Sequence, residues 1–186
     1  MDEYKTILID PPWNERGGGK IVRGAQRHYP LLKTKAMPSV IMESGVWRPA
    51  DNCHLWCWTT ANHLPDALWL IGELGFTYKT NVVWTKPRFG LGQYFRMQHE
   101  HLLFAVRGKG FAVKTDARNL ASLITAPRRK HSQKPDEAYR LIESRGLQPR
   151  LEMFARETRP SWDAWGFEIG ENDGEARAKM DTVYAR

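Results

Sequence analysis

Asp10-Pro11-Pro12-Trp13 is the run whose residue types most directly suggest chemistry. Two consecutive prolines stiffen the chain and carry no N–H of their own. A carboxylate, carbonyls with no local donor and an indole plane are thereby held in fixed relative positions. Such a set suits a flat heterocycle bearing an amino group: carboxylate and carbonyl each accept one N–H while the ring stacks on the indole. An aromatic amine is a poor nucleophile, because its lone pair is delocalised into the ring. Two acceptors on its hydrogens return electron density to the nitrogen and stabilise the positive charge that develops as it attacks. A preorganised polar group of this kind contributes about 3 kcal/mol. The same four residues also suit a strand ended by a proline turn and followed by a core tryptophan, and at this point both accounts stand.

The elements that must position this run follow from periodicity. Tyr4 to Asp10 is a short β-branched and apolar segment, predicting a buried strand that Pro11 and Pro12 end. Residues 14–30 are polar, with Gly17 to Gly19, and predict a loop. Pro38 to Ser44 suits a short helix, and Cys53 to Trp58 a second strand. Asn62 is placed to cap a helix carrying Leu64, Ala67, Leu68, Ile71 and Leu74 at helical spacing, with Gly75 as its stop. Further strands are expected over Phe76–Lys86, His99–Val106, Leu120–Thr125 and Leu151–Phe154, and a helix over Pro135–Ser144. The span 87–98 is a basic loop with Arg88, Gly90, Gly92 and Arg96. Strands alternating with helices argue for an α/β domain over residues 1–169 with a largely parallel sheet, and residues 170–186, mixed in charge and poor in core residues, read as a polar tail. Ligands of such sheets bind beyond the carboxyl ends of the strands, which directs attention to Asp10, Thr59, Lys86 and Arg156.

Composition bounds the rest. The chain has 186 residues, 41% of them hydrophobic and 26% charged, which excludes a wholly disordered chain. No run of about 18 apolar residues predicts a membrane-spanning helix, and the N-terminal residues carry no secretory signal, so the expected setting is cytoplasmic. The net charge of +7 favours an acidic partner such as nucleic acid. Three basic clusters could track phosphates: Lys20, Arg23, Arg27 and His28; Lys86, Arg88 and Arg96; Arg128, Arg129, Lys130 and His131. Cys53 and Cys57 read as buried small apolar residues, their spacing matching no common zinc pattern. His99-Glu100-His101 is discounted as a metal triad because adjacent strand residues point to opposite faces, so no metal is expected.

In several blocks the sequence resembles the MT-A70 family of S-adenosylmethionine-dependent adenine N6-methyltransferases, in a short bacterial or phage form. The blocks are Asp10 to Trp13; Leu55-Trp56 with Thr59-Thr60; Trp84-Thr85-Lys86; His99-Glu100 with Arg107-Gly108; His131 to Glu137; Leu151 to Arg156; and Trp162 to Gly166. They stand in the family's order across nearly all of residues 4–168.

The resemblance implies a Rossmann-like methyltransferase fold with a mostly parallel twisted sheet, circularly permuted so that the catalytic motif precedes the cofactor-binding strand Leu151–Phe154. It implies Asp10, Pro11, Pro12 and Trp13 as catalytic residues. S-adenosylmethionine would be held by Asp10, by Lys134 at the cofactor carboxylate, by Arg156 near the ribose and by Glu168 as a ribose acceptor. Phe167, Thr158 and Arg159 depart from residues found in other members. His28 and Tyr29 resemble positions beside the substrate, with Tyr29 able to stack on the target base. With Lys86, Arg88, Arg96 and Arg128 they form the expected substrate-binding set. The implied reaction is methyl transfer to the exocyclic amine of adenine in DNA, with a flipped base. The alternatives are the same reaction on RNA and a non-catalytic nucleic-acid-binding subunit. A homodimer is a further expectation, since one small domain offers little surface to grip a duplex.

Overall fold

The computed structural model describes residues 3–14, 33–90, 94–109, 119–129, 133–166 and 169. Their centre is a seven-stranded sheet in the order β5-β3-β4-β2-β1-β6-β7. The strands are β1 (Tyr4–Ile9), β2 (Pro49–Thr59), β3 (Thr77–Thr85), β4 (His99–Arg107), β5 (Leu123–Thr125), β6 (Arg150–Met153) and β7 (Asp163–Trp165). β1 lies parallel to both β2 and β6, and β3–β5 and β6–β7 are also parallel. β4 alone runs antiparallel to its neighbours β2 and β3. The α/β class and the mostly parallel sheet are therefore as expected.

Helices cover both faces, which explains why β1 reads as a continuous apolar run rather than an alternating one. One face carries Ile7, Ile9, Leu55, Cys57, Leu103 and Met153 in a core with α1 (Met37–Met42) and α2 (Leu64–Glu73). The opposite face carries Leu8, Trp56, Trp58, Trp84 and Leu102 against Ala138, Tyr139 and Ile142 of α3 (Asp136–Arg145). Cys53 and Cys57 are free and buried in the first of these cores, as expected. Asp136 and Glu137 in the first turn of α3 and Arg145 in its last complement the helix dipole. Among the described residues no helix is long and apolar enough to cross a membrane.

Several boundaries differ from those expected. β2 begins four residues early because Pro49 pairs with Tyr4 across an irregularity in register that takes in the polar Asp51 and Asn52, which no apolar signal marks. Asn62 does not cap α2: it lies inside a 3-10 turn, Ala61–His63, and His63 takes the cap position. Leu68, counted on the buried helix face, is exposed. β5 is only its last three expected residues. β7 was not anticipated, since three partly exposed residues carry no strand periodicity and are held by pairing with β6. The expected loop over 14–30 lies outside the described residues except for Asn14, and the tail 170–186 lies outside them entirely.

Strand direction decides where chemistry can gather. Because β4 is reversed, its amino end shares an edge with the carboxyl ends of the other strands. The chain leaves β1 for β2 on one side and returns on the other side to pair β6. That is a switch point of the kind where α/β sheets open a crevice, and Asp10 is the first residue beyond β1 there.

Candidate active site

Asp10, Lys134, Glu100 and Lys86 meet at this edge in one alternating chain of charge. Lys134 Nζ lies 3.0 Å from Asp10 Oδ1 and 3.2 Å from Glu100 Oε2, and Lys86 Nζ donates to Glu100 Oε1. Each member arrives from a different element: Asp10 after β1, Lys86 after β3, Glu100 from the start of β4 and Lys134 just before the Pro135 cap of α3. The two ammonium groups also lie over indoles, Lys134 Nζ 5.4 Å from the Trp58 ring and Lys86 Nζ 4.5 Å from the Trp84 ring. Charges this far from water persist only when paired. Burial would raise the Glu100 carboxyl, but the two lysines overcome it and hold its pKa down at about 2. Burial would depress Lys134, but Asp10 and Glu100 overcome it and push its pKa above the ordinary lysine value. For Lys86 burial wins over Glu100, and its pKa falls.

The proline turn does much of what the sequence predicts. Pro11 and Pro12 are buried, and Asp10 N–H donates to the Met153 carbonyl at 3.3 Å, tying the turn to β6. One carbonyl is not free as expected: Pro11 O accepts the Trp13 N–H at 2.8 Å, closing a tight turn. Among the described residues nothing donates to the Pro12 carbonyl, and only Oδ1 of Asp10 is engaged. A carboxylate oxygen and a carbonyl two residues apart thus remain as acceptors.

Trp13, expected as an open stacking plane, is only 6% exposed. Its Nε1 donates to the Trp58 carbonyl at 2.9 Å, and its ring stacks on His63 at 5.5 Å and 12°. The reason is packing: the proline turn sends the indole back toward the end of β2, where it joins the core. Trp13 therefore braces the turn and offers no open face. Lys86 also departs from its expected place among phosphate-tracking cations: it is 8% exposed and turned inward to Glu100.

Beside this chain lies a cleft lined by Asp10, Gln133, Lys134, Tyr139, Glu152, Phe154, Arg156 and Glu157. Asp10, Lys134 and Arg156, all expected near the cofactor, are thus brought together. Glu152 was not assigned a role. It projects from the middle of β6, 6% exposed, and Tyr139 Oη donates to its Oε1 at 2.7 Å while Oε2 has no partner among the described residues. Burial raises its carboxyl to about 7, the Tyr139 hydrogen bond opposing and Asp10 adding to the rise. Behind it, Arg159 stacks 3.7 Å over Tyr139 and bridges Asp136 and Glu157. The signal for Glu152 was present, a lone carboxylate in an otherwise apolar strand; Glu100 became legible only with the reversed direction of β4.

Arg88, Arg96 and Arg128 are exposed near the same edge. His99 and His101 share one face of β4, rings 5.0 Å apart, while Glu100 points to the other. His28, Tyr29 and Glu168 lie outside the described residues, as do Lys20, Arg23, Arg27, Lys130 and His131.

A mostly parallel α/β sheet with an acidic proline turn beyond the interior strand β1 defines a Rossmann-like methyltransferase fold. The chain belongs to the MT-A70 family, whose model matches residues 4–168. It is 32% identical to "Type II methyltransferase M.MunI" of a Mycoplasma species, over 91% of this chain and 79% of that protein. It is 26% identical to "N6-methyladenosine RNA methyltransferase MTA1" of Pyricularia oryzae, over 89% of this chain and 47% of that protein. An uncharacterized protein of Schizosaccharomyces pombe is 25% identical over 90% of this chain and 42% of its own length.

Proposed function

We propose that this chain is an adenine N6-methyltransferase that uses S-adenosylmethionine and acts on DNA. The observation that carries the reading is the Asp10–Lys134 contact, which joins the proline turn and the distant lysine block in one cleft. DNA is favoured over RNA by the greater identity to the Type II methyltransferase than to the RNA methyltransferase.

The cleft fits the methyl donor chemically. It offers the cations Lys134 and Arg156 and the carboxylates Asp10, Glu152 and Glu157, one of them with a buried oxygen that has no partner among the described residues. A zwitterionic amino acid joined to a hydroxyl-rich nucleoside calls for this mixture of donors and acceptors. Lys134 and Arg156 would hold the donor, which when bound supplies an electrophilic methyl on a sulfonium. Asp10 Oδ2 and the Pro12 carbonyl accept the two hydrogens of the adenine amine. A nitrogen that bonds the methyl carbon would take on the positive charge the sulfonium loses as its carbon–sulfur bond breaks, and would then shed one hydrogen as a proton toward Asp10 Oδ2; the fixed acceptors stabilise that charge without reorganising. Lys134 holds the Asp10 carboxylate in place through Oδ1. Trp13 acts at one remove by bracing the turn against β2. A homodimer would enlarge the duplex grip, and light scattering across protein concentrations tests it.

Methyl transfer from labelled S-adenosylmethionine to duplex DNA, single-stranded DNA and RNA tests the reaction, with Asp10→Ala alongside. The expected product is N6-methyladenine in DNA, reduced by at least a hundredfold in the variant, about 3 kcal/mol of transition-state stabilisation. Product in RNA alone would overturn the substrate, and undiminished product in the variant would overturn the site.

A further inference from the structure

The connection between β3 and β4 presents aromatic rings where a soluble surface ordinarily hides them. Phe89 is 65% exposed, Tyr94 94% and Phe95 85%. Trp13, Trp56, Trp58, Trp84 and Trp162 lie in the core, and Trp69 and Tyr78 on other surfaces are each only 40% exposed. The rings do not hang from a loose strand. Lys86 N–H donates to the Gln98 carbonyl at 2.8 Å, Gln98 Nε2 returns to the Lys86 carbonyl at 2.9 Å, and Gly90 N–H donates to the Met97 carbonyl at 2.7 Å. The base of the connection is thus a tied hairpin, and its first residue, Lys86, is pinned to Glu100 of the active site.

The segments that carry and flank these rings hold cations and no acidic residue. Residues 87–98 and 119–129 contain Arg88, Arg96, Arg128 and Arg129 and no Asp or Glu. Arg129 is engaged by Asp136, but Arg88, Arg96 and Arg128 form no ion pair among the described residues. Arg128 packs onto the hairpin so closely that a Cβ at Gly90 would lie 2.2 Å from its Nη2. Exposed rings in the same segments as guanidinium groups that form no ion pair among the described residues, at the rim of the site, match the two halves of a polynucleotide strand. Bases stack on rings with little sequence preference, and phosphates pair with guanidinium. A protein partner would want carboxylates opposite the arginines but would not need the rings so fully open.

We propose that the β3–β4 hairpin is a base-stacking platform: Phe89, Tyr94 and Phe95 stack on the DNA bases next to the target adenine and hold the strand open, while Arg88, Arg96 and Arg128 hold the adjoining phosphates. The inference rests on the reading of the site as a DNA adenine methyltransferase. Extruding a base from a duplex leaves a gap in the stack, and rings carried on this tied base at the rim of the site would fill it.

The test is a Tyr94→Ala/Phe95→Ala double variant of the full chain, with Tyr94→Trp/Phe95→Trp as the conservative counterpart. Both positions are exposed, so melting temperature and the Kd for S-adenosylmethionine by calorimetry should match wild type. With duplex DNA carrying 2-aminopurine at the target position, the alanine pair should weaken binding by about 10- to 100-fold. It should suppress the fluorescence rise that reports extrusion and raise the KM for DNA, and the tryptophan pair should restore all three. Unchanged affinity and fluorescence in the alanine pair, with wild type methylating DNA, would overturn the platform and leave the methyltransferase reading standing. A fall from dimer to monomer with unchanged DNA affinity per chain would also overturn it, by making the rings a contact between copies. Wild type that binds and methylates only RNA would overturn the commitment to DNA in both.

Discussion

Glu152 carries a cost that can be measured. It is buried in β6 with one oxygen unpartnered among the described residues, and its carboxyl is raised from 4.5 to about 7. Below about pH 4.5 the group is neutral in both folded and unfolded chains and costs nothing. As pH rises from about 4.5 to about 7 the unfolded chain loses this proton first, so the folded state is progressively disfavoured, by about 3 kcal/mol in all. His54 works in the opposite sense: burial lowers it from 6.5 to about 4, so the folded state gains as pH rises between those values. The two nearly cancel in wild type. Glu152→Gln keeps an acceptor for the Tyr139 hydroxyl and removes the ionisation. Its stability relative to wild type, from urea unfolding, should be near zero at pH 4 and favour the variant by about 3 kcal/mol at pH 8. A difference that does not change with pH would show that Glu152 titrates normally.

The elements hold the site through close approaches that leave no spare volume. α3 brings Lys134 to Asp10 at one end and docks on β1 at the other, where Thr6 Oγ1 donates to the Leu147 carbonyl at 2.9 Å. A Cβ at Gly146 would stand 2.5 Å from Thr6 Oγ1 and 3.0 Å from the Ile142 carbonyl, and Thr6 is fully buried in a central strand. Gly146→Ala should therefore destabilise by about 1–3 kcal/mol, read as a lower urea midpoint at unchanged slope; a neutral result would mean that α3 can slide on the sheet. Most elements were legible because each had its own signal: apolar runs for β1, β2 and β6, helical spacing for α2, a proline start for α3. The family blocks located Asp10, Lys134 and Arg156. What stayed hidden depended on pairing. β7 exists through β6, Glu100 reaches Lys134 through the reversal of β4, and Trp13 turns inward because Trp58 offers a carbonyl. None of these partners is adjacent in sequence, and no periodicity encodes them.

The whole molecule separates two kinds of electrostatics. Its net charge is +7, yet the cations at the centre of the site are spent inward: Lys86 on Glu100, and Lys134 on Asp10 and Glu100. The outward field comes instead from groups such as Arg88, Arg96 and Arg128, exposed at the rim and unpaired among the described residues. Salt screens exposed charges and leaves buried pairs nearly untouched. DNA affinity should then fall steeply with salt, while affinity for S-adenosylmethionine should change little over the same range. Each arginine that neutralises a phosphate adds about 0.9 to the slope of log K against log salt. Arg88→Gln/Arg96→Gln/Arg128→Gln should lower that slope by about 2.7, weaken DNA binding most at low salt and leave the donor's Kd unchanged. An equal slope in variant and wild type would move the phosphate contacts to other parts of the chain. A parallel loss of donor affinity would mean instead that rim and cleft are one electrostatic unit. The inward pairing of both lysines argues for separation: Lys134 holds the Asp10 carboxylate through Oδ1, and on the proposed reading the rim would respond to the polymer alone.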